Sequence, residues 1–197
     1  MTKIYIVRHG QTDSNLRNAC IGHTDIPLNE VGEEQARMLA EKLSEINFET
    51  VYTSPLLRAV NTAAPILQIM GHAKLIMNYG LVERDFGLWD NMTFDEIREK
   101  YPVEYEQWRK NWISYQPPDG ESIVDIYNRA KETLDRILTT HKDENILIVT
   151  HLGISRTILA YLLGLTAKQS QCFWLENTGI AIVEYVNGKG ILKGLNI

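Results

Sequence analysis

Near its start the chain reads Lys3-Ile4-Tyr5-Ile6-Val7-Arg8-His9-Gly10-Gln11-Thr12, an apolar run that passes directly into an arginine, a histidine and a glycine. The apolar part is typical of a buried strand, and Gly10 marks the turn that follows it. A second run, Ile146-Leu147-Ile148-Val149-Thr150, ends in the same way with His151 and then Gly153. Ligands bind at the C-terminal ends of strands in open α/β sheets, so we expect a site where these two strands end. An arginine beside two strand-end histidines suggests phosphate chemistry.

Strands and helices alternate through the first half of the chain. Asn29 is placed to cap a helix that runs to about Ile46, and residues 50–53 form a short strand. Ser54-Pro55 predicts an N-cap followed by proline at the first position of a helix that ends near Met70. A strand over residues 74–77 follows.

The second half continues the alternation after a less regular segment, residues 79–120, which contains a capping box at Thr93 and Glu96. Further elements are predicted as follows: a long helix capped by Ser122, a helix over residues 153–163, and strands near residues 172–176, 180–185 and 191–195. The pattern predicts an α/β fold with three layers, in which helices flank a mostly parallel central sheet with an antiparallel edge. We expect a single domain over residues 1–197, with residues 79–120 inserted as a cap over the site.

Composition narrows the classes of function. The net charge of −5 argues against nucleic-acid and anionic-membrane partners, while a small anionic substrate in a locally positive pocket remains compatible with it. Cys20 and Cys172 lie outside any metal-binding pattern, and we expect free thiols, although the sequence does not exclude a disulfide. Neither a signal peptide nor an apolar run of about 20 residues is present, so we expect a cytoplasmic protein. Exposed apolar residues on the final strands are compatible with a homodimer.

Each candidate site residue has an ordinary structural explanation when taken alone. Arg8 and His9 fit a surface pair, and Arg58 on an early turn of its helix fits a solvated ion pair. His151 fits a hydrogen-bonded structural histidine, but its match with His9 favours a functional role. Glu83 lies in a charged loop and carries little weight without a family pattern.

A series of motifs in sequence order gives that pattern and covers nearly the whole chain. They resemble the histidine phosphatase superfamily, and the phosphoglycerate-mutase-like branch fits best. Up to residue 63 the motifs are Arg8-His9-Gly10-Gln11-Thr12 with Asn15; Gly22-His23-Thr24-Asp25-x-Pro27-Leu28; and Ser54-Pro55-Leu56-x-Arg58-Ala59-x-x-Thr62-Ala63. Later in the chain they are Glu83-Arg84-x-Phe86-Gly87-x-Trp89; Gly120-Glu121-Ser122; and Val149-Thr150-His151-x-Gly153.

The resemblance implies a phosphohistidine mechanism that uses neither a metal nor another cofactor. His9 would attack phosphorus as a neutral imidazole, and Glu83 would protonate the leaving oxygen. The groups that would hold the phosphoryl oxygens are Arg8, Arg58, His151 and Asn15. The remaining substrate-binding positions that the resemblance implies are Thr12, Gly22 and Leu152.

We expect a phosphomonoesterase that acts on a small phosphorylated substrate, with α-ribazole 5'-phosphate as one candidate. Residues 91–120 contain four basic and six acidic residues, which is a poor balance for holding a second highly anionic group. Leu152-Gly153-Ile154 also differs from the mutase pattern. The alternative is a cofactor-dependent phosphoglycerate mutase, which the basic segment Gln107-Trp108-Arg109-Lys110 favours. A non-catalytic phospholigand-binding protein is the third hypothesis, and the presence of His9 and Glu83 argues against it.

Other aromatic, histidine and cysteine residues carry weaker signals for a place in the site. The aromatic residues of the cap segment fit either packing or stacking on a heteroaromatic ligand, and we expect packing to account for most of them; they are Tyr101, Tyr105, Trp108, Trp112 and Tyr115. His23, His72 and His141 are expected on the surface. Nothing around Cys20 predicts an activated thiolate.

Overall fold

The predicted strands form one sheet of six strands in the computed structural model, which describes residues 1–197. In chain order they are β1 (Thr2–Arg8), β2 (Thr50–Thr53), β3 (Lys74–Met77), β4 (Asn145–Thr150), β5 (Ile180–Val186) and β6 (Lys189–Leu195). Their order across the sheet is β3-β2-β4-β1-β5-β6. The first four of these are mutually parallel, whereas β5 and β6 pair antiparallel with their neighbours. The predicted mostly parallel sheet with an antiparallel edge is confirmed.

Seven helices accompany the sheet: α1 (Asp13–Leu16), α2 (Glu30–Leu43), α3 (Leu57–Met70), α4 (Phe94–Lys100), α5 (Pro102–Lys110), α6 (Ile123–Thr140) and α7 (Leu152–Leu162). Short 3₁₀ turns lie at Tyr79–Leu81, Gly87–Trp89 and Gln169–Cys172. The predicted caps at Asn29, Thr93 and Ser122 are confirmed, because each side chain accepts a hydrogen bond from a backbone N–H in its first turn. None of the helices combines the length and the apolar character that crossing a bilayer requires.

Both faces of the sheet are covered, which explains why β1 is apolar at every central position. Ile4 and Ile6 pack with α6 and α7 on one face, while Tyr5 and Val7 pack with α2 and α3 on the other. Side chains on a strand alternate between faces, so a strand in the middle layer needs apolar residues at odd and even positions. Burying one Ile or Leu side chain contributes about 1.5–3 kcal/mol. The predicted three-layer arrangement is confirmed.

The register of the parallel strands places the predicted site residues side by side. Arg8 at the end of β1 pairs with Thr150 at the end of β4, and the His9 N–H donates to the Thr150 carbonyl at 2.8 Å. On the other side of β4, Thr53 pairs with Val149, so Ser54 follows at the same edge. Three neighbouring strands thus deliver His9, His151 and Ser54 to one end of the sheet.

The loop after β1 crosses the first turn of α2 at very short range. A Cβ on Gly10 would lie 2.6 Å from the Gly32 carbonyl oxygen, and a Cβ on Gly32 would overlap the Gln11 carbonyl. The Gly10 N–H also donates to Thr62 Oγ1 at 2.9 Å, which ties the loop to α3. The glycine at position 10 is therefore required by close backbone approach, and it fixes the direction in which the chain leaves His9.

The predicted start of α3 is wrong by two residues. The helix begins at Leu57, and Leu56 is its N-cap with an extended backbone and no capping side chain. The Ser54 hydroxyl lies 2.8 Å from His151 Nε2 and accepts only a long hydrogen bond, 3.3 Å, from the Leu56 N–H. The Ser54 hydroxyl therefore acts mainly as a hydrogen-bond partner of His151 and not as the N-cap of α3.

The strand predicted near residues 172–176 is also wrong. Phe173 and Leu175 point into the core, which reproduces the alternation of a strand, but the segment pairs with side chains instead of a neighbouring strand. The Phe173 carbonyl accepts from Arg156 Nε and the Leu175 carbonyl from Arg8 Nη1. Because its backbone groups are used in this way, the segment forms a wall beside the site and not an edge of the sheet.

His141 is not a surface residue as expected, because only 12% of its side chain is exposed. Its ring lies 2.7 Å from the Tyr52 hydroxyl and 3.0 Å from a Glu144 oxygen. His141 is the C-cap of α6 and lies in the short connection to β4. His23 and His72 are exposed, as expected.

The cap segment has a small core of its own. Trp89 and Ile97 are buried there together with Cys20, which belongs to the loop before α2. Helix α5 was not predicted, although the aromatic residues between Tyr101 and Tyr115 recur at near-helical spacing. None of its residues is fully buried. An isolated bridge between Cys20 and Met92 ties the cap to the loop.

Candidate active site

A cavity of about 540 Å³ opens at the end of the sheet where β1 and β4 finish. Seven of the nine predicted site residues line it: Arg8, His9, Thr12, Asn15, Arg58, Glu83 and Leu152. Gly22 and His151 do not line the cavity. Both nevertheless contact Arg58, as described below, so the structure brings all nine residues into one connected site.

His9 is held in a tautomer that leaves one ring nitrogen available. Its Nδ1 lies 2.7 Å from the Gly10 carbonyl oxygen. A carbonyl oxygen only accepts, so Nδ1 carries the hydrogen and the neutral ring keeps its lone pair on Nε2. Burial lowers the pKa of the His9 imidazole well below its ordinary 6.5, and the charges of Arg58 and Arg8 lower it further. The ring is therefore neutral at pH 7, with no proton on Nε2.

The His151 ring packs against His9, with 5.1 Å between the ring centroids, and holds Arg58 in place. Arg58 Nε donates to His151 Nδ1 at 3.1 Å, so the ring hydrogen is on Nε2, which donates to Ser54 Oγ at 2.8 Å. Burial and the charge of Arg58 lower the pKa of His151 well below 6.5. Both ring nitrogens have protein partners, and the expected contact of His151 with phosphate stays a prediction.

The Arg58 side chain is buried and fixed on three sides. Besides His151, its two terminal nitrogens donate to the carbonyls of Thr24 and Gly22 at 2.9 and 2.7 Å. Gly22 is held in turn by Asp90, whose carboxylate accepts from the Gly22 N–H. Gly22 therefore acts on the site through its backbone carbonyl. Each terminal nitrogen of Arg58 keeps one N–H that is not used by these contacts.

Two buried polar atoms of the site have no partner in the protein. They are Arg8 Nε and Thr12 Oγ1; the third such atom in the chain, Trp89 Nε1, lies in the core of the cap. An unpaired buried donor costs about 1–3 kcal/mol, so both positions favour a ligand that supplies oxygen acceptors. Burial lowers the pKa of the Arg8 guanidinium, and Glu83 and Glu176 oppose that effect. A guanidinium stays charged in this setting, so Arg8 suits an anion.

Asn15 is oriented by its neighbours so that its amide group faces the cavity as a donor. Its Oδ1 accepts from the Thr12 N–H at 3.0 Å and from Asn177 Nδ2 at 3.3 Å. The oxygen is thus occupied, and the Asn15 NH₂ group remains for a ligand. Asn177 also donates to the His9 carbonyl, which links this side of the site to the loop that carries His9.

Glu83 lies at the N-terminus of α7. Its carboxylate accepts from the backbone N–H groups of Gly153 and Ile154 at 2.8 and 3.1 Å, and from Arg84 N at 2.8 Å. Glu83 is buried, with 7% of its surface exposed, yet it lines the cavity. A Cβ on Gly153 would overlap the Glu83 carboxylate, so the glycine makes room for it.

Two further arginines line the cavity and were not predicted. Arg156 is four residues after Leu152, so it lies on the same face of α7, and this spacing is the signal that sequence reasoning missed. Its guanidinium lies 4.9 Å from the centre of the Trp174 ring. Arg84 directly follows Glu83; its Nε donates to the Glu121 carbonyl, and the guanidinium lies over Phe86. Both arginines add to the positive charge of the cavity.

The aromatic residues of the cap divide between the two expected roles. Phe94, Trp108 and Trp112 line the cavity, and the rings of Phe94 and Trp108 are stacked 4.9 Å apart. Tyr115, in contrast, stacks on Trp89 in the small core of the cap. One wall of the cavity is therefore aromatic, while the rest of the group packs internally.

Cys20 also lines the cavity, but burial raises the pKa of its thiol to about 12, which confirms that it is no activated thiolate. Both cysteines are free. No three His, Cys, Asp or Glu side chains of the chain gather in an arrangement that suits a metal ion.

Comparison with known proteins agrees with this geometry. The histidine phosphatase superfamily (branch 1) matches residues 4–197. Phosphoserine phosphatase 1 of Hydrogenobacter thermophilus is 29% identical over 197 residues, which cover all of this chain and 93% of that protein. Phosphoglycerate mutase-like protein 4 of Arabidopsis thaliana is 35% identical over 158 residues, covering 79% of this chain and 69% of that protein.

Among solved structures, the α-ribazole phosphatase of Shigella flexneri superimposes with a TM-score of 0.93 at 27% identity, covering 99% of this chain and 96% of that one. The family resemblance and the fold expected from the sequence are confirmed: this chain belongs to the histidine phosphatase superfamily, branch 1.

Proposed function

We propose that this protein hydrolyses small phosphate monoesters through a phosphohistidine at His9, without a metal ion. One observation carries the proposal. The hydrogen bond from His9 Nδ1 to the Gly10 carbonyl leaves the Nε2 lone pair free in a ring that is neutral at pH 7. Two arginines that line the same cavity, Arg8 and Arg58, supply the positive charge that a phosphoryl group requires.

In the first step the Nε2 lone pair of His9 forms a bond to phosphorus while the ester P–O bond breaks in line. Glu83, as the protonated carboxyl, gives its proton to the leaving oxygen, which departs as the alcohol. In the second step Glu83 takes a proton from water as the water oxygen attacks phosphorus. The P–N bond breaks, its electron pair returns to Nε2, and inorganic phosphate leaves.

The remaining residues hold the transferring group. Arg8 Nε, Thr12 Oγ1 and the Asn15 amide have free hydrogen-bonding capacity in the structure, so we assign them to the phosphoryl oxygens. Arg58 adds its two remaining N–H groups, and His151 fixes the Arg58 guanidinium. Donors fixed in this way stabilise the charge of the transition state, and removing one typically costs about 3 kcal/mol. Leu152 borders the space for the leaving group.

The aromatic wall supports a substrate whose alcohol carries a flat ring. Trp108, Trp112 and Phe94 line the cavity on the side of the cap, residues 79–120, to which we assign the role of covering the bound ester. A ring-bearing alcohol such as that of α-ribazole 5'-phosphate, the substrate class named for the Shigella relative, fits this wall. Phosphoserine, named for the Hydrogenobacter relative, is the smaller candidate.

A phosphoglycerate mutase is the alternative, and the Arabidopsis relative favours it by its name. Of the basic segment over residues 107–110, which resembles the mutases, only Trp108 lines the cavity. Arg109 instead pairs with Glu106 on the surface of α5. The segment therefore offers no second anion site to the cavity, and hydrolysis is the better-supported activity.

The test is a hydrolysis screen with EDTA present. It compares α-ribazole 5'-phosphate, phosphoserine, 3-phosphoglycerate and p-nitrophenyl phosphate by phosphate release. We expect EDTA-resistant hydrolysis of at least one ester and its complete loss in His9→Ala. Isomerisation of 3-phosphoglycerate that depends on 2,3-bisphosphoglycerate and exceeds hydrolysis would favour the mutase, and activity that EDTA abolishes would contradict the metal-free mechanism.

A further inference from the structure

Arg129 lies on α6 and uses every hydrogen of its guanidinium. Nε and one terminal nitrogen donate to the two carboxylate oxygens of Glu121 at 2.9 and 2.7 Å. The three remaining hydrogens go to the backbone carbonyls of Gly80, Val82 and Glu83 at 3.1, 2.7 and 3.2 Å. Neither Arg129 nor Glu121 lines the cavity. The pair therefore holds the backbone of the loop that carries Glu83 without reaching a substrate.

Glu121 holds the same loop on the other side of Glu83. Its carboxylate accepts from the Asp85 N–H at 3.0 Å, in addition to both nitrogens of Arg129. The Glu121 backbone pairs with the Asp85 carbonyl and accepts from Arg84 Nε. Residues before and after Glu83 are thus fixed to one ion pair. About three quarters of each side chain is buried, with 23% of Arg129 and 24% of Glu121 exposed.

The Glu83 side chain itself is oriented from a different helix. The N-terminus of α7 donates to its carboxylate through Gly153 and Ile154, while α6 holds its backbone through Arg129. The position of the carboxyl relative to the leaving oxygen therefore depends on both helices. A displacement of about 1 Å in a group that transfers a proton can cost about 100-fold in rate.

We infer that Arg129 and Glu121 are positioning residues for Glu83 as the proton donor of the reaction. The inference rests on the proposed phosphatase function and extends it to two residues that touch neither the substrate nor the nucleophile. A role confined to folding would affect all substrates alike. A role through Glu83 lowers kcat/KM, which reports phosphoryl transfer to His9, only for esters whose leaving oxygen needs a proton.

The test is Arg129→Met, assayed on phosphate monoesters with leaving alcohols of increasing basicity. We expect a loss in kcat/KM of about 10- to 100-fold for alkyl esters and less than about threefold for p-nitrophenyl phosphate, since p-nitrophenolate leaves without a proton. The matched control is Arg136→Met, on the same helix, where the arginine is 79% exposed and pairs only with Glu132; its profile should equal that of the wild type. Arg129→Lys should not restore activity, because one ammonium cannot reproduce the bidentate contact.

Coupling to Glu83 gives a second readout. Arg129→Met combined with Glu83→Gln should lose little more than Glu83→Gln alone, because both changes remove the same proton transfer. If Arg129→Met does not fold, Glu121→Gln carries the test, since it keeps the shape and weakens the same pair. An equal loss for all leaving groups, or fully additive losses in the double variant, would overturn the inference. The proposed function fails separately, if the wild type hydrolyses no ester or if His9→Ala remains active.

Discussion

A single hydrogen bond distinguishes the two nitrogens of the His9 ring. The Gly10 carbonyl fixes the hydrogen on Nδ1, and burial together with Arg58 and Arg8 lowers the pKa of the ring. Gly10 thus fixes the tautomer that His9 needs as the proposed nucleophile. The sequence predicted the identity of His9 through the Arg8-His9-Gly10 motif, but the choice of tautomer depends on a backbone orientation that the sequence alone does not reveal.

The two buried histidines make the stability of the protein sensitive to acid. Their pKa values lie well below 6.5 in the folded state, whereas an unfolded histidine titrates near 6.5. Below pH 6.5 the unfolded chain therefore binds protons at these two positions that the folded chain does not bind. The free energy of unfolding falls as pH drops below about 6.5, by up to about 1.4 kcal/mol per pH unit for each histidine. Urea unfolding at pH 7 and pH 5.5 should show a smaller pH dependence for His9→Asn than for the wild type. His72→Asn, at an exposed position, is the control, and an unchanged slope in His9→Asn would contradict the account.

The proton donor is tested by Glu83→Gln, which preserves the shape of the side chain and its place at the start of α7. We expect a loss in kcat/KM of about 100-fold or more for alkyl phosphates and a much smaller loss for p-nitrophenyl phosphate, because general acid catalysis of the first step contributes about 10²–10⁴-fold only where the leaving group needs a proton. Steady-state kinetics on both esters measure the difference. Equal losses would remove Glu83 from this role.

Sequence reasoning identified most single residues of the site but not their partners. Asn15 and Thr12 were found through the family motif, whereas the contacts that turn the Asn15 amide toward the cavity come from Asn177, far away in the chain. Arg129 was missed entirely, because three of its partners are the backbone carbonyls of Gly80, Val82 and Glu83, which lie 46 to 49 residues away in the chain and leave no local sequence pattern.

At the scale of the elements, the parallel register of β1 and β4 brings the two histidines together. Arg8 pairs with Thr150, so the residues that follow them lie side by side. Both strands were predicted from their apolar runs. Their adjacency follows from the sheet order, which long-range packing sets and which the two apolar runs do not reveal.

The close contact between the first turn of α7 and the Glu83 carboxylate predicts how one added methyl group at Gly153 affects activity. Gly153→Ala places a Cβ where the Glu83 carboxylate lies, so we expect the carboxylate to move and the turnover of alkyl esters to fall by about tenfold or more. Gly164→Ala, at the other end of the same helix, is the matched control. Its Cβ meets nothing within 4 Å, but its φ of +71° makes alanine strained. The control should lower the melting temperature and leave kcat unchanged; unchanged kcat in Gly153→Ala would contradict the placement of Glu83.

The two wrong element predictions have a common cause. Ser54 and the segment near residues 172–176 carry clear local signals for a helix cap and for a strand. In the structure the Ser54 hydroxyl pairs with His151, and the carbonyls of Phe173 and Leu175 pair with Arg156 and Arg8. Tertiary hydrogen bonds at the site compete with local propensity, and at both positions these hydrogen bonds determine the local structure.

At the scale of the whole molecule, the cavity is lined both by residues at the C-terminal ends of the strands and by residues of the segment 79–120. The sheet side supplies His9 and the arginines, and the cap side supplies the aromatic wall with Trp108 and Trp112. The family motifs predicted the sheet side closely. The cap was harder to predict, because α5 buries no residue completely and its aromatic spacing does not distinguish packing from ligand contact.

The aromatic wall predicts a preference among substrates. Trp112→Ala should raise KM for esters of aromatic alcohols by about fivefold to tenfold, which corresponds to about 1–1.4 kcal/mol of lost ring contact, and should change KM for glycerol phosphate little. Tyr79→Ala is the control, since Tyr79 is 79% exposed and lies outside the cavity lining. An equal rise in KM for both kinds of ester would show that the wall does not select the leaving group.

The most direct measurement for the whole account is rapid-quench trapping of the enzyme during turnover of a ³²P-labelled ester. Covalent phosphate that is stable in alkali, labile in acid and located on His9 by peptide mass spectrometry is the predicted result, and it should be absent from His9→Ala. Steady hydrolysis with no phosphate on His9, or undiminished hydrolysis by His9→Ala, would contradict the phosphohistidine mechanism.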